Sequence, residues 1–179
     1  MKITPQQKKR IGIAGVLFSV FLFLVYGPTE THPKLLFFNT TASVPRGLYL
    51  RIPATHIKTG DYVVYLPTEV AKNLSKERGW TVEDNPKFIK RVGATPGQTW
   101  SVDPKNFQFY ANSKYIGQAA LYDSKDQPLP RIYGTFQVPE GEFLPVAEAT
   151  ASFDGRYTGT VPLENIEAKV IPILTEFCM

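Results

Sequence analysis

A chain of 179 residues holds one domain with a full core and a modest extension. Its 43% hydrophobic and 20% charged residues exclude global disorder, while fifteen prolines, thirteen glycines and 13% aromatics favour short strands and turns over a helical bundle. Of the twenty basic residues behind the net charge of +4, Lys2, Lys8, Lys9 and Arg10 fall in the first ten positions, leaving sixteen against sixteen acids, so the body is neutral and a poor footprint for nucleic acid.

That basic tail, 1–10, precedes "IGIAGVLFSVFLFLVY" (11–26), which carries no charge. As a helix the run spans about 24 Å, slightly short of the ~30 Å hydrocarbon layer, a gap that Gly27, Pro28 and local thinning close. An all-round apolar helix directly after a basic cluster argues against a core helix. Pro28 after Gly27, with no A-x-A site, argues against a cleaved leader. The sequence therefore predicts an uncleaved anchor over 11–27. The basic tail stays in the cytoplasm, and 28–179 form a domain on the far side.

Beyond the anchor, "KLLFFN" (34–39) and "GLYLRI" (47–52) read as strands flanking a turn that exposes Ser43. "GDYVVYLP" (60–67) is a turn and a strand. "TEVAKNLSKERG" (68–79) is a short amphipathic helix, capped by Thr68 and ended at Gly79. "KFIKRVGATPGQTWSV" (87–102) holds two strands around a Pro-Gly turn, and "NFQFYAN" with "KYIG" a hairpin. "DSKDQPLPRIYG" (123–134) is a proline-rich loop, and 134–148 a pair of strands around Pro139 to Gly141. "SFDGRYTGTVP" (152–162) is turn-rich, and "AKVIPIL" (168–174) is a closing strand. The expectation is a mainly β, antiparallel domain with one short helical insertion.

Few chemical groups suggest themselves. His32 and His56 stand alone without metal-ligand spacing, and the single Cys178 has no disulfide or metal partner. No cofactor and no metal are expected. A serine is a weak nucleophile that needs a base. With histidine unpromising, the remaining base is a lysine made neutral by burial. Lys90 lies inside the apolar strand "FIKRVGA", where adjacent Lys90 and Arg91 point to opposite faces. Taken singly, Ser43-Val44-Pro45 reads as an ordinary turn and Lys90 as a solvated strand lysine.

Four blocks in order change that weighing. Ser43-Val44-Pro45 after a hydroxyl-rich lead, "GDYVVY", "FIKRVGATPG" and "SFDGRYTG" resemble the membrane-bound signal peptidases of the Ser/Lys type over residues 11–165. "NTTASVPRGLY" is similar to the conjugative-transfer maturation peptidases, whose serine is followed by Pro two residues on and then by Gly-Leu-Tyr. "VAKNLSKERGW" and "DSKDQPLPRIYGTFQVPEGEFL" resemble that branch as well. The resemblance implies a signal-peptidase-like β fold and a serine endopeptidase without cofactor. The expected location is the bacterial inner membrane with the catalytic domain in the periplasm, and a monomer is expected, though these residues do not fix the oligomeric state. Its partners are the lipid bilayer and a pilin-type precursor. Some members of that branch join the new pilin ends into a ring, a property that does not follow from these residues.

By the same resemblance Ser43 is the acylated nucleophile and Lys90 the general base, then acid. Thr41 supplies a hydroxyl that helps the Ser43 N–H hold the oxyanion. Ser152 orients the lysine amine, and Asp154 and Arg156 form an ion pair behind it. Asp154 is expected one step removed from Lys90, since a carboxylate in contact raises a lysine's pKa. The chain departs from the family where Gly155 replaces a usual Ser, and in "LPVAEATAS", where Glu148 and Ala149 are atypical. A general signal peptidase acting on many secreted proteins, and a non-catalytic anchored assembly factor, are the alternatives. Extended substrate is expected to add as a strand beside the site, and "LLFF" to dip into the lipid surface.

Overall fold

The computed structural model describes residues 4–26, 33–147, 149 and 151–176. Lys2, Gly27, Pro28, His32, Glu148 and Cys178 lie outside the described residues. In chain order the elements are α1 (Pro5–Tyr26), β1 (Leu36–Asn39), β2 (Gly47–Ile52), β3 (Tyr62–Tyr65), α2 (Glu69–Glu77), β4 (Phe88–Ala94), β5 (Thr99–Val102), β6 (Gln108–Ala111) and β7 (Lys114–Gln118). After them come β8 (Gly134–Gln137), β9 (Glu142–Val146), α3 (Gly155–Thr158), β10 (Val161–Pro162) and β11 (Ile166–Thr175).

The strands build two antiparallel sheets. The larger runs β1-β2-β11-β3-β4-β9-β10, and the smaller β7-β6-β5-β8. Two connections cross between them. From β4 the chain turns through Pro96-Gly97, where Gln98 N–H donates to the Thr95 carbonyl at 3.0 Å and Gly97 takes φ +80°. That is the positive φ a Pro-Gly turn places on its glycine. From β8 the chain returns to β9. The two strands expected over 134–148 therefore form but do not pair, since β8 joins β5 and β9 joins β4.

Side-chain alternation buries both faces of the larger sheet. Phe37, Val44, Tyr49, Val64, Ala168 and Val170 pack on one face, and Val63, Tyr65, Val92, Phe143 and Val161 on the other. A third cluster, with Trp100, Phe109 and Leu144 among its members, joins the two sheets. The strand expected over 168–174 is longer than its apolar core. It lies between β2 and β3, in the middle of the sheet, because its alternating Ala168 and Val170 are needed on a buried face.

Helix α2 matches its expected bounds. Thr68 Oγ1 accepts from the Ala71 N–H at 3.4 Å, Arg78 caps the end and Gly79 follows at φ +69°. A second helix, α3, lies in the segment read as turns. It is only one turn long and depends on Asp154, whose carboxylate accepts from the Arg156 N–H. So short a helix has no apolar period to betray it.

The 22-residue α1 holds the basic residues Lys8, Lys9 and Arg10 in its first half. Among the described residues no helix is long and apolar enough to cross a membrane. The expected span over 11–27 ends in Gly27, outside the described residues. Ile11, Val16, Leu17, Phe18 and Phe23 are each about 60% exposed, on several sides of the helix.

Candidate active site

Three elements meet at the site. The turn between β1 and β2 carries Ser43, β4 carries Lys90, and the segment before α3 carries Ser152, Asp154 and Arg156. Ser43 is half-buried at the surface of the turn. Lys90 is opposite Val63 on β3, so it shares the buried face with Val63 and Val92 and is only 4% exposed. Arg91, its neighbour, turns to the other face and lies over the Tyr62 ring at 5.4 Å. The alternation of β4 thus sends the lysine in and leaves the arginine half-exposed.

The three hydroxyl and amine groups form one chain. The Lys90 Nζ donates to Ser152 Oγ at 2.5 Å, and the Ser152 hydroxyl donates to Ser43 Oγ at 3.1 Å. Ser152, itself 4% exposed, thus bridges the Lys90 amine and the Ser43 hydroxyl. Burial away from water lowers the Lys90 pKa from 10.5 to about 8. The Asp154 carboxylate opposes that shift, and the Arg156 guanidinium adds to it. A neutral amine is therefore accessible just above neutrality.

Asp154 and Arg156 are both 1% exposed and satisfy each other. Arg156 Nε donates to Asp154 Oδ1 at 2.8 Å, and Arg156 Nη2 to Oδ2 at 3.0 Å. The other Asp154 bonds come from the Ala147 N–H at 2.7 Å and the Arg156 N–H at 3.1 Å. Arg156 further donates to the carbonyls of Ala147 and Gln118. Such full pairing is what a buried ion pair requires. It ties the Ser152 segment to β9 and to the end of β7. The carboxylate therefore acts on Lys90 through space and not by contact.

Gly155 has a steric reason. A Cβ there would stand 2.6 Å from Leu144 Cδ1 and 2.7 Å from the Pro145 carbonyl oxygen. The backbone of β9 closes on this position, so the serine usual in the family has no room.

Thr41 lies in the turn that carries Ser43, with its hydroxyl proton committed to Asn39 Oδ1 at 2.9 Å. To reach an oxyanion, that hydroxyl has to rotate off Asn39. The Ser43 N–H donates to no group among the described residues. Asn39 is a residue the sequence reading passed over, although an Asn ending a strand before Thr-Thr is an ordinary turn-initiating signal. The α2 insertion reaches the site from the other side. Trp80 packs on Phe153 at 5.0 Å between ring centroids, and Phe153 on Tyr157 at 5.8 Å. Arg78 pairs with Asp123 at 2.9 Å, which holds the proline-rich loop against α2.

The model of the family described as "Signal peptidase, peptidase S26" matches residues 9–174. The chain belongs to that family. Two Escherichia coli relatives, each described as plasmid transfer protein TraF, are similar to this S26 peptidase. One is 31% identical over 147 residues, covering 76% of this chain and 81% of the relative. The other is 28% identical over 145 residues with the same coverage. Among solved structures, a signal peptidase I from Enterococcus faecalis V583 aligns with 65% of this chain and 98% of its own, at 17% identity and a TM-score of 0.39. That score is too low to support any detail. Family membership and the TraF relatives make this chain a TraF-type S26 peptidase.

Proposed function

We propose that the chain is a membrane-anchored serine endopeptidase with a Ser43/Lys90 dyad, which cuts an exported pilin-type precursor for conjugative transfer. The observation that carries the chemistry is the buried run from Lys90 Nζ through Ser152 Oγ to Ser43 Oγ. With the amine neutral, both hydroxyls swing so that Ser43 donates to Ser152 and Ser152 to the amine lone pair. Ser43 Oγ attacks the scissile carbonyl carbon while its proton moves to Lys90. The oxyanion is met by the Ser43 N–H. Collapse breaks the C–N bond, and the Lys90 ammonium gives its proton to the departing amine. Water then attacks the Ser43 ester with Lys90 again as base, which releases the new C-terminus.

The plasmid-transfer relatives support a substrate in conjugation. The exposed apolar side chains of α1 behind a basic start support an anchor that leaves the catalytic domain in the periplasm. The exposed Leu35 and Phe38 beside the site support contact with the lipid surface. The protein acts on a substrate as it emerges from the membrane.

The test is a transfer assay with Ser43→Ala and Lys90→Met, combined with the mass of the candidate pilin. Loss of transfer together with an unshortened pilin is expected for both. Continued processing in Ser43→Ala removes the enzyme reading. A general defect in secreted proteins on deletion assigns the chain to broad signal-peptide removal instead. A mature pilin lighter than its linear form by one water reveals ring closure.

A further inference from the structure

Asn39 ends β1 just before the turn that carries Ser43, and it is 6% exposed. Its carboxamide is engaged at both ends. Nδ2 donates to the carbonyls of Thr41 at 2.9 Å, Val44 at 3.0 Å and Pro45 at 3.2 Å. Oδ1 accepts from the Thr41 N–H at 3.2 Å and from the Thr41 hydroxyl at 2.9 Å. The Tyr49 hydroxyl adds a second donor to the Pro45 carbonyl at 2.7 Å. These bonds fall on both sides of Ser43 and none touches it.

Their geometry has a consequence for the amides of the turn. In a trans peptide the C=O and N–H point in opposite directions. Drawing the Thr41 and Pro45 carbonyls onto Asn39 turns the following N–H groups, of Ala42 and Arg46, away from it. The Thr41, Val44 and Pro45 carbonyls are gathered on Asn39 together with the Thr41 N–H, and the Ala42 and Arg46 N–H groups face away from it. The Ser43 N–H, which donates to no group among the described residues, belongs to the same loop. The Thr41 hydroxyl, the second expected oxyanion donor, is held by the same side chain.

We propose that Asn39 is a positioning residue for the reaction: its carboxamide sets the 41–45 turn so that donors, not carbonyls, face the oxyanion formed at Ser43. The inference rests on the Ser43/Lys90 peptidase reading. A residue that only stabilised the loop would change unfolding and leave turnover in the folded fraction intact. One that arranges oxyanion donors lowers kcat while substrate binding persists.

The experiment uses the full chain in detergent micelles with two probes, a fluorogenic peptide cleaved by the unaltered protein and the C-terminal aldehyde of its acyl half. The aldehyde forms a tetrahedral adduct on Ser43 and therefore reports on the oxyanion donors. Asn39→Asp keeps the shape and the acceptors but has no proton to give to three carbonyls. It should lower kcat by about 30-fold or more, with KM within about three-fold, and weaken the aldehyde in parallel with kcat. Unchanged kcat and aldehyde affinity in folded Asn39→Asp, or a change confined to KM, overturns the proposal. If Asn39→Asp does not fold by near-UV circular dichroism, Asn39→Ser is measured against the same criteria. Ser43→Ala runs alongside. Persistent cleavage there removes the peptidase reading itself, whereas a dead Ser43→Ala beside a fully active Asn39→Asp removes only this inference.

Discussion

Lys90 carries a free-energy conflict in a single side chain. Its amine is useful because it is buried, and burial of a group that is charged below pH 8 costs stability. Rates of peptide cleavage should rise with pH, reach half of their maximum near 8 and then level off, since only the deprotonated amine is a base. Stability should move with it. Between pH 8 and 10.5 the unfolded chain binds more protons at this lysine than the folded one, so the unfolding free energy rises with pH across that window. The total is on the order of 3 kcal/mol, most of it absent at neutral pH. Lys90→Met should therefore abolish cleavage and yet raise stability at pH 7 by roughly 1–3 kcal/mol in urea unfolding. Strand alternation allowed one of two adjacent cations to point inward, and the family resemblance singled out Lys90. Ser152 was legible only by resemblance, because nothing local marks a loop serine as the bridge between two residues more than fifty positions away.

The segment from Ala147 to Thr158 does at the element scale what Lys90 does at a point. It brings a carboxylate and a guanidinium into the protein interior, and each polar side-chain atom of Asp154 and Arg156 has a partner. Arg156→Met strands the Asp154 charge and should cost about 3–5 kcal/mol in chemical unfolding. In any folded fraction it should also move the pH–rate midpoint upward. The variant removes the cation that lowers the Lys90 pKa and leaves the anion that raises it. Gly155→Ser tests the packing against β9. Leu144 can shift, but the Pro145 carbonyl cannot without moving a strand, so a loss of about 1–3 kcal/mol is expected. The ion pair was visible by family resemblance, whereas α3 was not, because a one-turn helix stands on its Asp154 cap and not on any periodicity. The reach of the α2 insertion to Phe153 through Trp80 was equally hidden, since stacking depends on how two distant loops meet.

At the scale of the whole molecule, strand order and charge placement decide where the catalyst stands. Turn chemistry and two-residue alternation made nearly all the strands legible, while their partners were not. Nothing in β8 and β9 announces that they leave for different sheets, nor in β11 that it takes a central place. If α1 is the anchor, carbonate washing of membranes should leave the full chain in the pellet. Phe18→Asp, which places a charge in the apolar run at a cost of about 3 kcal/mol, should release a measurable share into the wash. The central position of β11 also bears on timing. The strand leaving the Ser43 turn and the strands leading to Lys90 are bridged by β11, which follows both in the chain. Near its end, β11 runs so close to Gly47 that a Cβ there would stand 2.0 Å from the Leu174 carbonyl oxygen. Until β11 docks between β2 and β3, Ser43 and Lys90 therefore sit on unjoined halves of the larger sheet, and its docking gathers them into one surface.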